Sequence, residues 1–399
     1  MTQQVLDQNI RLKARTFAAR LTDVKSELAN RDEAVDIVAL AALCREHALL
    51  IGPPGTAKTF LLERFRQLLD VRCFTYLLTR FTEPAELFGP MDFRKFRDGV
   101  YKINSAGMLP EAEIAFLDEI FQGSSAILNS LLTLINERRY YNGGEVVQAN
   151  LVTLFGSSND IPDDPLLTAF SDRFLLRYRL EYVQDDSIEE LLNLGWRNER
   201  DRIGAANGSA VTAGQAATPV TFPLDDLQLL QHAVADIDVG GIRGIFTHIL
   251  QSFRAEGISF SDRRAVKAQK TFAASAVLHG RARAEPADLA PLIYLWTNPN
   301  DEPAIRRIVA DHDVPIEDRS HVVRDPTEIM YDLAQLRRQQ PNIRSGEEFR
   351  EVLRRIQRWL NEARRDHPGN QQLLADLQQF RDELLRAYRE RYGEEGFYA

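Results

Sequence analysis

Lys58 and Thr59 close the stretch Gly52-Pro53-Pro54-Gly55-Thr56-Ala57-Lys58-Thr59-Phe60, and Asp118 and Glu119 end the run Glu113-Ile114-Ala115-Phe116-Leu117. A Gly- and Pro-rich turn at a helix start points several backbone N–H groups at one place, which attracts an anion. Lys58 then supplies a point charge for the outer phosphates of a bound nucleotide, and the Thr59 hydroxyl is a hard oxygen ligand for magnesium. Asp118 is suited to the shell of the same ion, and Glu119 to orienting and deprotonating an attacking water. The four residues together describe phosphoryl transfer to water. Ala57 departs from G-x-x-x-x-G-K-[ST], which has glycine before the lysine. A methyl group is tolerated there if the local φ is negative.

Such groups need strands to deliver them. The apolar run Leu49-Leu50-Ile51 precedes the loop, and Phe60, Leu61, Leu62, Phe65, Leu68 and Leu69 continue it at helical spacing. The run ending in Asp118 reads as a central strand, and ligands of open α/β sheets bind at that carboxyl edge. Cys73–Leu78, Leu151–Phe155 and Leu175–Leu180 read as further strands. Asn159, at the tip of a strand beside the acidic one, could hydrogen-bond the γ-phosphate or the attacking water. Its bland alternative is turn chemistry in Ser157-Ser158-Asn159-Asp160. Arg173 follows Phe170-Ser171-Asp172 and is either a surface ion pair or, in a ring of identical subunits, a contact to a neighbour's nucleotide. Arg263 and Arg264 follow Ser261-Asp262 at a helix start, where cations are unfavourable, so an anionic partner is expected. Spacing does not separate the two.

Two hairpins are expected, Phe93–Ile103 around Asp98-Gly99 and Arg138–Gln148 around Asn142-Gly143. The 399 residues carry 44% hydrophobic and 27% charged side chains, an ordinary globular balance. A net charge of −9 weighs against a nucleic-acid partner. No apolar run is long enough for a membrane span and Met1-Thr2-Gln3-Gln4 does not open a signal peptide, so a cytoplasmic location is expected. Seven histidines and two cysteines lie without metal-type spacing.

The organisation expected is an N-terminal helix and α/β nucleotide-binding domain over 1–200, a flexible linker over 201–221, a helical lid over 222–300 and a helical extension over 301–399. The linker is rich in Ala, Gly, Ser and Thr. In the extension, Phe349, Val352, Leu353, Ile356, Trp359 and Leu360 form one helical stripe and Leu373, Leu377, Phe380 and Leu384 another, an antiparallel hairpin.

The ordered set Gly52–Thr59, Ile114–Glu119, Ser158-Asn159, Asp172-Arg173-Phe174 and Ser261-Asp262-Arg263 resembles the MoxR family of AAA+ ATPases, over roughly residues 5 to 300. Ser261–Trp296 looks most like the RavA branch. The loop form Gly-Pro-Pro-Gly-x-Ala-Lys is similar to MoxR loops. The resemblance implies an α/β fold: an AAA+ P-loop NTPase domain with a parallel sheet, then an all-α lid, here with a C-terminal helical hairpin. It implies ATP and Mg2+ as cofactors, with Asp118 and Glu119 as the second nucleotide motif. Asn159 would be sensor 1, Arg173 an arginine finger acting in trans, and Arg263 sensor 2, with Arg264 the adjacent candidate. It implies a homo-hexameric ring and a partner with a von Willebrand factor A domain that is remodelled, activated or loaded with a metal or cofactor. The two hairpins match elements that usually face the ring pore. RavA-like proteins carry an extra β-rich module where this chain has a helical hairpin, so partner choice does not transfer. Two other functions fit the motifs: a nucleic-acid-associated motor, kept open by Arg94, Lys95, Arg97, Arg138 and Arg139, and a nucleotide-gated scaffold with little turnover.

Overall fold

The computed structural model describes residues 6–162, 164–183, 187–206, 221–316, 326–339, single positions between 349 and 370, and 371–392. It divides into two compact units, Met1–Ile316 and Glu317–Ala399.

The first unit opens with α1 (Gln8–Lys25), whose N-terminus is capped by the Asp7 carboxylate and whose Ala14, Phe17, Leu21 and Val24 are buried. In α2 (Asp32–Cys44) the acids Asp32 and Glu33 favour the helix start, and nearly every later residue is buried. β1 (Ala48–Ile51) is wholly buried and runs into the loop ahead of α3 (Lys58–Leu68). Then come β2 (Leu69–Asp70), β3 (Cys73–Leu77), α4 (Pro84–Phe88), α5 (Phe93–Arg97), β4 (Ile114–Asp118) and α6 (Ser125–Glu137). The hairpin β5 (Arg139–Asn142) and β6 (Glu145–Gln148) precedes β7 (Thr153–Ser158), α7 (Pro165–Ser171), β8 (Leu176–Arg179) and α8 (Ile188–Ala206).

Five parallel strands form one sheet in the order β3-β4-β7-β1-β8. β1 and β7 are buried along their whole length, as expected of parallel strands covered by helices. Phe65 of α3 meets Phe155 of β7 edge-on at 5.9 Å, and the Thr153 hydroxyl donates to the carbonyls of Ala41 and Glu46 behind α2. All five strands end at the edge that carries the loop, Asp118 and Ser158.

β9 (Phe222–Pro223) pairs with β2 and leads into α9 (Leu224–Asp236), α10 (Arg243–Ala255), α11 (Asp262–Leu278) and, after the turn-like helix Pro286–Tyr294, α12 (Glu302–Asp311). α11 packs on α1, α2 and α9, and α12 packs on α10 and Pro286–Tyr294. Residues 302–311, read from the sequence as part of the extension, therefore stand with the helices before them. Of the 201–221 stretch, residues up to Ala206 continue α8, and 207–220 lie outside the described residues.

One expected hairpin forms and one does not. β5 and β6 pair from Arg139↔Gln148 to Asn142↔Glu145, which leaves Gly143-Gly144 as the turn. Phe93–Ile103 is instead the short helix α5, tied by a lone antiparallel bridge between Met91 and Ile103. The Asp92 carboxylate accepts from the N–H groups of Arg94 and Lys95, so it caps a helix. Gly99 at φ 78° ends that helix. Arg138 is not a surface cation of the second hairpin. It ends α6 half-buried at φ 57° and donates to the carbonyls of Arg45, Ile135 and Val152.

In the second unit, Pro326–Gln339 and Gln371–Tyr392 are helices, and the described positions from Phe349 to Ala363 are helical too. Leu353, Ile356, Trp359 and Leu360 of one expected stripe share a core with Leu373, Leu377, Phe380 and Leu384 of the other.

Candidate active site

The loop after β1 is held from below. The Gly52 N–H donates to Ser158 O at 3.1 Å, and a Cβ at Gly52 would fall 2.1 Å from Leu180 O, so only glycine fits between these strands. Thr56 donates to Pro53 O at 2.9 Å. Arg31, buried before α2, donates to Thr56 O at 3.2 Å and to Glu181 O at 2.8 Å and so ties the loop to the end of β8. Nothing in the local sequence marks Arg31 beyond its position at a helix start.

Ala57 sits at φ 66°, ψ 24°, in the left-handed region. The condition under which a methyl group is tolerated without strain, a negative φ, is not met. The loop must reverse direction to bring Lys58 into the first turn of α3, and that reversal uses the conformation glycine normally supplies. A non-glycine residue there costs about 1–2 kcal/mol. The loop keeps its shape against that cost because Gly52, Thr56 and Arg31 fix it on either side.

Lys58 is buried, and its Nζ donates to Gly52 O at 2.6 Å and Pro53 O at 3.1 Å. Burial lowers its pKa, and the charges of Asp118 and Glu119 act in the opposite direction. Thr59 Oγ1 donates to Asp118 Oδ2 at 3.4 Å. The other Asp118 oxygen accepts from Glu119 N at 3.0 Å and from the Ser157 hydroxyl. Ser157, fully buried on β7, was read from the sequence as turn; the strand in fact runs through Ser158 and places Ser157 beside Asp118. A hydroxyl and a carboxylate converging beside the loop lysine are hard oxygen donors of the kind magnesium takes, so Thr59 and Asp118 fit that ion.

Glu119 follows at φ 50°, a left-handed turn that ends β4. Asn159, just past the end of the neighbouring strand β7, donates from Nδ2 to Glu119 Oε1 at 2.9 Å. The structure thus brings Lys58, Thr59, Asp118, Glu119 and Asn159 to one sheet edge.

A cleft of about 710 Å³ opens beside the loop. Gly55, Thr56, Ala57 and Phe60 line it from the loop side, Leu28, Ala29 and Arg31 from the segment before α2, and Tyr182, Leu191 and Leu194 from the segment after β8. Sequence reasoning missed the last two groups because they come from segments far from the motif. Its volume suits a nucleotide-sized ligand.

The three remaining arginines lie elsewhere. Arg173, Arg263 and Arg264 line a separate small cleft with Asp172, Ser261 and Lys267, and none of them lines the loop cleft. The structure separates the two lid arginines. Arg264 is 3% exposed and donates to Leu175 O at 2.7 Å, Leu295 O at 3.1 Å, Phe174 O at 3.2 Å and Asp172 Oδ1 at 3.0 Å. Arg263 is exposed and reaches Asn136 Oδ1 at 2.7 Å. Arg173 lies 3.6 Å from Asp172, and its buried Nε has no protein acceptor among the described residues.

A loop of this form, two carboxylates at the next-but-one strand and an attached helical lid define an AAA+ nucleotide-binding module. Comparison with known proteins agrees. Residues 15–215 match the MoxR domain of MoxR–vWA–β-propeller ternary systems, and residues 242–309 match an AAA lid domain. An uncharacterized protein of Methanocaldococcus jannaschii is 33% identical over 282 residues, 70% of this chain and 71% of the relative. Chaperone MoxR1 of Mycobacterium tuberculosis is 23% identical over 189 residues, 46% of this chain and 49% of that protein. The crystal structure of a candidate ATPase from Cytophaga hutchinsonii superposes with a TM-score of 0.58 at 18% identity, over 77% of this chain and 97% of that one, a likeness of fold alone. The chain belongs to the MoxR family of AAA+ ATPases. None of these descriptions singles out the RavA branch.

Proposed function

We propose that the chain hydrolyses ATP to ADP and phosphate and uses the energy to remodel a partner protein. The observation that carries this reading is the bond from Asn159 to Glu119, beside Asp118, Thr59 and Lys58 at one strand edge. Lys58 and the loop N–H groups bind the phosphates, and the cleft walls Leu28, Phe60 and Leu194 accept the base. Thr59 and Asp118 would hold Mg2+, which neutralises charge on the transferring group. Glu119 takes the proton of the attacking water and Asn159 fixes the orientation of its carboxylate.

The Arg173–Arg263 cleft lies apart from the loop cleft, so these arginines are read as serving the nucleotide of an adjacent copy in a ring. Arg173 is the trans finger, Arg263 its companion, and Arg264 the anchor behind them. The matched family's description names a von Willebrand factor A domain system, and a protein of that type is the partner proposed.

The test is ATPase rate per subunit against protein concentration, with and without such a partner. A steep rise with concentration is expected. A low rate that neither concentration nor partner changes would sink the reading in favour of a scaffold.

A further inference from the structure

Among the described residues, the amide side chains that line the loop cleft are those of Gln67 and Asn198. Gln67 is engaged on both sides: its Oε1 accepts from Arg64 at 3.1 Å and its Nε2 donates to Glu63 at 3.1 Å. Asn198, half-buried on α8, has no hydrogen-bond partner among the described residues. Its neighbours in the cleft are committed. Arg31 holds Thr56 O and Glu181 O, Arg64 also pairs with Glu27 at 2.8 Å, and the Tyr182 hydroxyl donates to Pro54 O at 3.3 Å. An amide left open in a largely apolar cleft, with one donor and one acceptor side, is the kind of group that orients a ligand.

The wall that carries Asn198 leaves room for such a ligand. Leu191, Leu194, Gly195 and Asn198 all line the cleft from α8. At 3.6 residues per turn they lie within about 100° of one another, on one face. Gly195 stands inside a 19-residue helix, where glycine is destabilising relative to alanine. Packing does not call for it, since a Cβ there would meet nothing within 4 Å. The missing side chain opens the wall between Leu194 and Asn198.

We propose that Asn198 reads the base of the bound nucleotide and selects adenine, with Gly195 leaving the space in which the base edge meets it. This rests on the reading that the cleft holds a nucleotide with its phosphates on the loop. A base packed on Leu194 presents its edge to Asn198, about 6 Å further along the helix. Asn198 Oδ1 accepts from the adenine N6 amine and Nδ2 donates to N7, the paired pattern an amide makes with that base. Guanine carries two acceptors on the same edge, O6 and N7, and so sets an oxygen against Oδ1.

The experiment measures binding of ATP, GTP and 7-deaza-ATP, which lacks the N7 acceptor, to the full-length protein in Mg2+ by calorimetry. The parent should bind ATP about tenfold or more tighter than either of the others. Asn198→Ala should bind all three alike. A general loss of structure would weaken all three together, so the ratio is the readout. Gly195→Leu should melt no lower than the parent and yet bind both ATP and GTP about tenfold or more weakly. A parent without preference for ATP, or an Asn198→Ala variant that keeps the preference, overturns the proposal and leaves the nucleotide reading standing. Gly195→Leu binding as the parent does would take α8 away from the base and overturn it too. A parent that binds none of the three overturns the reading beneath it.

Discussion

Asn159 Nδ2 donates to Glu119 Oε1 at 2.9 Å, so the carboxylate read as the general base is aimed from the strand next door. Glu119 itself sits at φ 50°, a conformation held only because its surroundings fix it. Glu119→Gln keeps an oxygen for Asn159 but cannot take a proton. We expect unchanged ATP affinity and turnover lower by about 10²–10⁴-fold. Asn159→Ala should lower single-turnover hydrolysis by about tenfold or more with affinity intact. If Asn159→Ala weakened binding alone, its role would be contact with phosphate.

The two lid arginines should separate in a paired measurement of stability and activity. Arg264→Ala strips the donors from three buried carbonyls and from Asp172, and is expected to cost about 3–5 kcal/mol in urea unfolding. Arg263→Ala removes an exposed group and should stay within about 0.5 kcal/mol of the parent. Its turnover should nevertheless fall. Equal stability losses for the two variants would contradict the geometry.

Ala57 offers a test of loop strain. Ala57→Gly removes the cost of a Cβ at φ 66° and adds freedom to the unfolded chain, for a net gain of about 1 kcal/mol at most. Ala57→Val should lower Tm, because a β-branched residue fits this region worse than alanine. Tm values in the reverse order would mean the loop adopts another shape.

His47 gives a pH dependence. Burial, then the charge of Arg138, holds its pKa well below the ordinary histidine value, and its Nδ1 accepts from Leu154 N at 2.9 Å in the neutral form. The unfolded chain therefore binds the proton that the folded chain refuses. The stability from neutral His47 is present above about pH 6.5 and is lost as pH falls, by about 1.4 kcal/mol per unit until the folded pKa is reached. Unfolding free energies from pH 7 to 5 should fall less steeply in His47→Gln than in the parent.

Local sequence was enough for the loop, the acidic strand and the core stripes, since each is a periodic or contiguous pattern with one physical meaning. It misled where one dipeptide serves two structures. Asp98-Gly99 suits a hairpin turn, but the Asp92 cap ahead of it makes a helix and turns the glycine into its stop. It was silent on Ser157, Arg31 and the walls of the cleft, because strand register and distant segments place them. It could not rank Arg263 against Arg264, since adjacent positions on a helix differ by about 100° and only the packed lid says which one points inward.

Glu46, buried at the end of α2, pairs with Lys267 and with Lys270 at 2.6 Å, both on α11. Arg177, inside β8, donates to Thr297 O, and burial pushes its pKa down to about 9. Lid and sheet are tied at both places and again by Arg264. Among the described residues of the first unit, these ties oppose a change of angle between lid and sheet. Distance probes on α2 and α11 should hold one separation through every nucleotide state, which would leave the lid as a lever fixed to the sheet and not one that swings on it.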